Sequence, residues 1–186
     1  MASEARRLLR QELDAYNSPF EVEDGFRERM IDLLTYPNCF ERSLLHAHFT
    51  ASAWVVDEAF EQGLLLHHAK LDKWLQLGGH ADGVEDLRLV AQKELEEESG
   101  LKLAKFYSKK IFDIDIHTIP ERKGVPEHDH YDVRFLFVGD TSEPIQRNHE
   151  SMDVAWKGFE AIPALCSGND SILRMINKCE TIRTKM

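Results

Sequence analysis

Cysteine is scarce in this 186-residue chain, and Cys39, Cys166 and Cys179 lie far apart with no CxxC pair. Three is an odd number, so neither a disulfide framework nor a cysteine-built zinc site is suggested. Long hydrophobic runs are also missing. No stretch approaches the roughly 20 apolar residues that span a bilayer, and the opening MASEARRLLRQELDAY has no apolar signal core. Glu4, Glu12 and Asp14 among Arg6, Arg7 and Arg10 argue against a transit peptide. These absences predict a cytoplasmic protein of bacterial type with no membrane partner. Positive charge is in deficit: 23 Lys and Arg against 33 Asp and Glu give a net charge of −10. That balance disfavours nucleic acid, whose nonspecific binding needs basic patches. A phosphate-bearing ligand would need a metal escort or a local cluster of cations. No repeat or low-complexity stretch is present.

What is present reads as an α/β chain. Residues 3–16 and 21–36 have helical periodicity, with Phe26, Met30, Leu33 and Leu34 in register and Asn17-Ser18-Pro19 between the two helices. They predict a helical extension over residues 1–44, ahead of a catalytic-type domain over 45–186, and a surface suited to that domain or to a second subunit in a homodimer. The period then changes. His48–Val56 and Gly63–His68 read as a hairpin, Tyr107–Ile116 and Tyr131–Val138 as further strands, and 117–129 as a polar loop. Trp156–Ile162 reads as a last strand or helix entry, and Ser171–Arg183 as a closing helix with Ile172, Leu173, Met175 and Ile176 inward or nearly so.

The densest signal lies in residues 79–101, GHADGVEDLRLVAQKELEEESGL. A helix predicted over about 84–99, with Asp82 as candidate N-cap, sets Glu94, Glu97 and Glu98 at i, i+3 and i+4 on one face. Carboxylates so close repel one another. Hard divalent cations bound by oxygen ligands, Mg²⁺ or Mn²⁺, would hold them. Lys93 offsets part of the charge. Leu87, Val90, Ala91 and Leu95 form the opposite, core-facing stripe.

This spacing resembles the Nudix box, with Gly79, Glu85, Glu94, Glu97, Glu98 and Gly100 at the fixed positions and Leu95 and Leu101 at the aliphatic ones. One position departs: Lys93 stands where the family usually has Arg, keeping the charge but losing the bidentate fork. The resemblance implies the Nudix fold, a mixed β-sheet between helices (α/β/α), here with the helical extension in front. It implies hydrolysis of a phosphoanhydride in a small nucleoside diphosphate derivative, supported by Mg²⁺ or Mn²⁺. Glu94, Glu97, Glu98 and the carbonyl of Gly78 would be metal ligands, Lys93 would orient the glutamates, and Glu85 would stabilise rather than ligate. Glu150, with Asp153 or Glu127 as substitutes, is the candidate general base. A domain that keeps the fold but serves as a nucleotide-binding sensor or scaffold is the alternative.

Outside the box, His130, Asp132 and Arg134 alternate with Tyr131, Val133, Phe135 and Phe137, giving one polar and one apolar strand face. A polar face turned to a cleft would bind phosphate through Arg134 and place a water through His130. His48 joins this substrate-binding set. Most of the nine histidines are expected to be structural or on the surface.

Overall fold

The chain enters its first helix at Ser3, whose hydroxyl accepts the Arg6 N–H at 3.0 Å and caps α1 (Glu4–Ala15). The computed structural model describes residues 3–69, 72–122, 124–149 and 151–186. A short connection leads to α2 (Val22–Leu33), so both helices lie within the predicted spans. Then follow β1 (Ala47–Val56), β2 (Gln62–His68), β3 (Lys73–Leu75), β4 (Leu77–His80), α3 (Leu87–Ser99), β5 (Lys105–Phe106), β6 (Asp113–Ile119), β7 (His128–Val138), β8 (Ser151–Gly158), α4 (Ile162–Leu165) and α5 (Asp170–Arg183).

β1 is the central strand. It runs parallel to β7 along its whole length and antiparallel to β4, and its end turns back through a hairpin into β2. β6 and β5 extend the sheet beyond β7, while β3 and β8 flank β2. Alternation along β1 assigns its residues to two faces. Phe49, Ala51, Ala53 and Val55 join the core that includes Leu87, Val90, Ala91 and Leu95 of α3. Trp54 and Val56 on the other face join Ile172, Met175, Ile176 and Cys179 of α5. Leu9, Leu13, Met30 and Leu33 belong to the first core, so the N-terminal helices are packed into the body of the fold rather than appended to it.

Three predicted boundaries need correction. Asp82 does not cap α3. It has φ +46° and precedes Gly83 at φ +88°, a left-handed turn that cannot start a right-handed helix. Asp86 caps instead, accepting the Arg88 N–H at 3.1 Å. Tyr107–Ile116 is not one strand, because β6 begins only at Asp113. Residues 117–129 are partly strand: Thr118 pairs with Asp129 and Ile119 with His128.

Candidate functional site

Register places the site. Residues directly opposite one another across paired strands share a face, and one face of four adjacent strands carries three polar rows. Asp113, Arg134, Ser52 and Gly78 align in the first row, Asp115, Asp132, Thr50 and His80 in the second. His117, His130 and His48 align in the third.

Asp132 is buried on the floor of a cleft of about 570 Å³. Its carboxylate accepts from Thr50 Oγ1 at 3.0 Å, Ser52 Oγ at 2.8 Å and Arg134 Nε at 2.8 Å. Arg134, expected to bind phosphate, is 1% exposed and is not among the residues lining the cleft. Its guanidinium pairs with Asp113 at 3.1 Å, Asp115 at 3.2 Å and Asp132. A buried cation must be paired to be tolerated, and three carboxylates take up this one. The network continues through Arg174 to Asp113 and Asp115, and through Lys178 to Asp113 and Glu23 of α2. Burial works against ionisation of Asp113 and Asp115. The adjacent Arg134 and Arg174, with Lys178 at Asp113, outweigh it and hold both carboxyls below the usual range.

The box carboxylates enter the same cleft from α3. Glu94 and Glu98 line it together with Gly78 and Gly79. Glu98 is buried, and its Oε2 accepts the Gly78 N–H at 2.9 Å. A Cβ on Gly79 would stand 2.6 Å from the Glu94 carboxyl carbon, so any side chain there would displace that carboxylate. Gly100 closes the helix at φ +74°, a left-handed C-cap that glycine adopts without strain. Glu97 is exposed and is not among the residues lining the cleft. Lys93 pairs with it at 3.3 Å and with Glu94 at 3.7 Å. Glu85 lies ahead of the helix rather than within its first turn. It holds α1 in place by accepting from Ser3 Oγ and pairing with Arg6 at 3.0 Å.

Of the proposed general bases, Glu150 lies outside the described residues. Asp153 on β8 pairs across to His67 on β2, and both Asp153 and Glu127 are exposed and are not among the residues lining the cleft. Sequence reasoning missed several lining residues: Gln76, His80, His117 and Arg42. Arg42 arrives from the segment between α2 and β1, and its Nε donates to Asp82 at 2.6 Å.

Histidine also departs from expectation. Five of the nine converge: His130 has His48, His80, His117 and His128 at ring-centroid separations of 4.8–5.5 Å. Burial pushes His130 down to about 2, with His80 and His117 adding to it, and pushes His80 down to about 4, helped by Arg42. Burial lowers His48 as well, so His48, His80 and His130 are neutral at physiological pH and each offers a lone pair.

Comparison with known proteins agrees with this geometry. No curated protein sequence matches the chain. Among solved structures, a Caenorhabditis elegans Ap4A hydrolase binary complex superposes with TM-score 0.60 at 17% identity, covering 74% of this chain and 98% of that one. A NUDIX-family hydrolase from Clostridium perfringens gives 0.54 at 24% identity, covering 73% and 97%. A bifunctional NMN adenylyltransferase/ADP ribose pyrophosphatase from Francisella tularensis, complexed with AMP and Mn ion, gives 0.52 at 16%, covering 82% and 49%. The NUDIX domain model matches residues 46–176, which include β1 to the first half of α5 and every cleft-lining residue but Arg42, and the chain belongs to the Nudix hydrolase family.

Proposed function

We propose that this chain hydrolyses a phosphoanhydride bond in a small nucleoside diphosphate derivative, with Mg²⁺ or Mn²⁺ held by Glu94, Glu98 and Glu97. The reading rests chiefly on one observation: Glu94 and Glu98, from a single helix face, enter one cleft beside Gly78 and Gly79. An all-oxygen donor set suits a hard cation, and the space left by Gly79 is filled by the Glu94 carboxylate. The bound ion supplies charge neutralisation at the phosphates and a lowered pKa for water. The Gly78 N–H fixes the Glu98 carboxylate, and the Gly78 carbonyl is proposed as a further ligand. Lys93, which also lines the cleft, is proposed as a positioning residue that restrains Glu94 and Glu97. Glu150 keeps its place as candidate proton acceptor on sequence grounds alone.

His48, His130 and Asp132 remain on the substrate side of this proposal, and Arg42, which lines the cleft, replaces Arg134 as the cation proposed to meet a phosphate. The relatives named above act on Ap4A and ADP-ribose, which makes dinucleoside polyphosphates and ADP-ribose the first compounds to try. A net charge of −10 agrees with a small anionic substrate carried by its metal rather than a nucleic acid. Phosphate release from a panel of such compounds, with Mg²⁺ and with Mn²⁺, tests the reading. Glu98→Gln is expected to lower turnover by about 10²–10³-fold, since a metal's charge stabilisation is worth several kcal/mol, while circular dichroism stays unchanged. Unaltered turnover in Glu98→Gln would remove the metal assignment. No turnover of any compound, alongside metal-dependent nucleotide binding, would establish a sensor in place of an enzyme.

A further inference from the structure

The histidine row adjoins a second cavity of about 780 Å³, lined by Arg42, Leu45, His48, His80, His128 and His130 among others. His80 and His130 also line the glutamate cleft, so the rings form the wall between the two spaces. Within that wall, one ligand atom from each of His48, His128 and His130 lies within 4.8 Å of the other two. In a tetrahedral site with metal–nitrogen bonds of about 2.0–2.1 Å, the corresponding spacing is about 3.4 Å. Modest side-chain rotation closes that gap.

Two of the three rings have one nitrogen directed to a backbone carbonyl. His128 Nδ1 faces Pro126 O at 2.8 Å, and His48 Nδ1 faces Leu44 O at 3.5 Å. A ring that donates from Nδ1 presents the Nε2 lone pair, the arrangement found where histidine ligates a metal. His48 Nε2 and His130 Nε2 are buried and have no hydrogen-bond partner. Leaving a buried polar nitrogen unmet costs about 1–3 kcal/mol, and two such atoms belong to this cluster. No carboxylate in the cluster supplies the missing partners. Arg42 and Arg122 also line the cavity, and Arg42 is paired with Asp82, which offsets part of its charge.

We propose that His48, His128 and His130 form a second metal site, selective for a zinc-class transition ion and separate from the glutamate site. Imidazole nitrogen suits Zn²⁺ and its neighbours, whereas Mg²⁺ prefers oxygen. Three histidines leave a fourth position open, to water or to His80, whose ring centroid is 5.2 Å from that of His48 and 4.8 Å from that of His130. The shared wall puts the ion beside any phosphate chain that extends from the glutamate cleft into the second cavity. Metal binding here stands whether or not the chain hydrolyses nucleotides.

The test uses the full chain, stripped with a chelator and titrated with Co²⁺ and then Zn²⁺ in excess Mg²⁺. Wild type is expected to take up one Co²⁺ with the visible absorption of a low-coordinate nitrogen site, to release it to Zn²⁺, and to melt several degrees higher with Zn²⁺. Glu98→Gln should keep all three signals. His128→Gln and His130→Gln should each lose the absorption band and the melting shift. His128 is half-buried at the start of a strand, so His128→Gln decides the matter if His130→Gln fails to fold. A Co²⁺ band that survives in His128→Gln, or disappears in Glu98→Gln, would overturn the proposal, as would displacement by Mg²⁺.

Discussion

The two ends of the polar ladder are built from the same strands, on the same face, and differ in how their polar groups are satisfied. At one end, Asp113, Asp115 and Asp132 surround Arg134, and Arg174 and Lys178 close the network from α5. Every charge there has a partner of opposite sign. A few residues further along β1, β6 and β7, the charged side chains give way to imidazoles, two of which leave a buried nitrogen unpartnered. A region whose hydrogen bonds are complete holds the molecule together. One whose bonds are incomplete is set up for something else to complete it. The Arg134 end ties α2, β6, β7 and α5 into one unit beneath the cleft floor, and the histidine end lines a cavity with two of its nitrogens unpartnered.

Breaking the complete end should have the largest effect. Arg134→Met leaves three buried carboxylates short of a cation, and removing one partner of a buried ion pair costs about 3–5 kcal/mol. Urea unfolding of that variant should show a loss of this size. His128→Gln, measured without metal, removes a half-buried ring with one hydrogen bond and should cost about 1 kcal/mol or less. Equal losses in the two variants would erase the distinction between the ends.

Acid sharpens the same contrast. Asp113 and Asp115 titrate below their unfolded value of about 3.9. As pH falls, the unfolded chain therefore takes up protons first, and stability declines. Their contribution is complete above about pH 5 and is lost through pH 4 and below. Each such carboxylate adds a slope of up to about 1.4 kcal/mol per pH unit in that window. Unfolding free energy measured between pH 6 and pH 3 should fall accordingly, and Asp115→Asn should flatten the curve. An unchanged slope in Asp115→Asn would mean that Asp115 is not ionised in the folded protein.

This contrast also explains what could be read in the chain. The α3 glutamates were legible because helical spacing alone brings Glu94 and Glu98 to one face, and their apolar stripe of Leu87, Val90, Ala91 and Leu95 is buried as its period required. The alternation of His130, Asp132 and Arg134 was legible too, but not the surroundings of its polar face. Charged residues at every second position suggest solvent or a ligand. Here β6 brings Asp113 and Asp115 against them, and DIDIHTI has the same period with its acidic face turned inward. A single sequence does not announce which strands become neighbours. The histidine cluster depends largely on that pairing: His48, His80, His117 and His130 come from four different strands, and only His128 and His130 share one, in an HxH spacing that is weak evidence of a metal site by itself. The N-cap failed for a local reason, since Asp82-Gly83 forms a left-handed turn before Asp86 starts the helix.

The smallest expected effect concerns the residue that departs from the family pattern. Lys93 is exposed and touches Glu94 at 3.7 Å and Glu97 at 3.3 Å, both distances of a loose point-charge contact. An arginine there could engage a carboxylate through two parallel N–H bonds and hold its plane. Exposed pairs contribute about 0.2–1 kcal/mol, so Lys93→Arg should leave the rate unchanged or raise it by up to about fivefold. Glu94 is the more sensitive partner, because its carboxyl is pressed against Gly79 and lines the cleft, whereas Glu97 faces solvent. Steady-state turnover of the best panel substrate, compared at saturating Mg²⁺, measures the effect. A sharp drop in Lys93→Arg would show that the lysine, which lines the cleft, acts on the ligand through its compact, mobile ammonium rather than by orienting the glutamates.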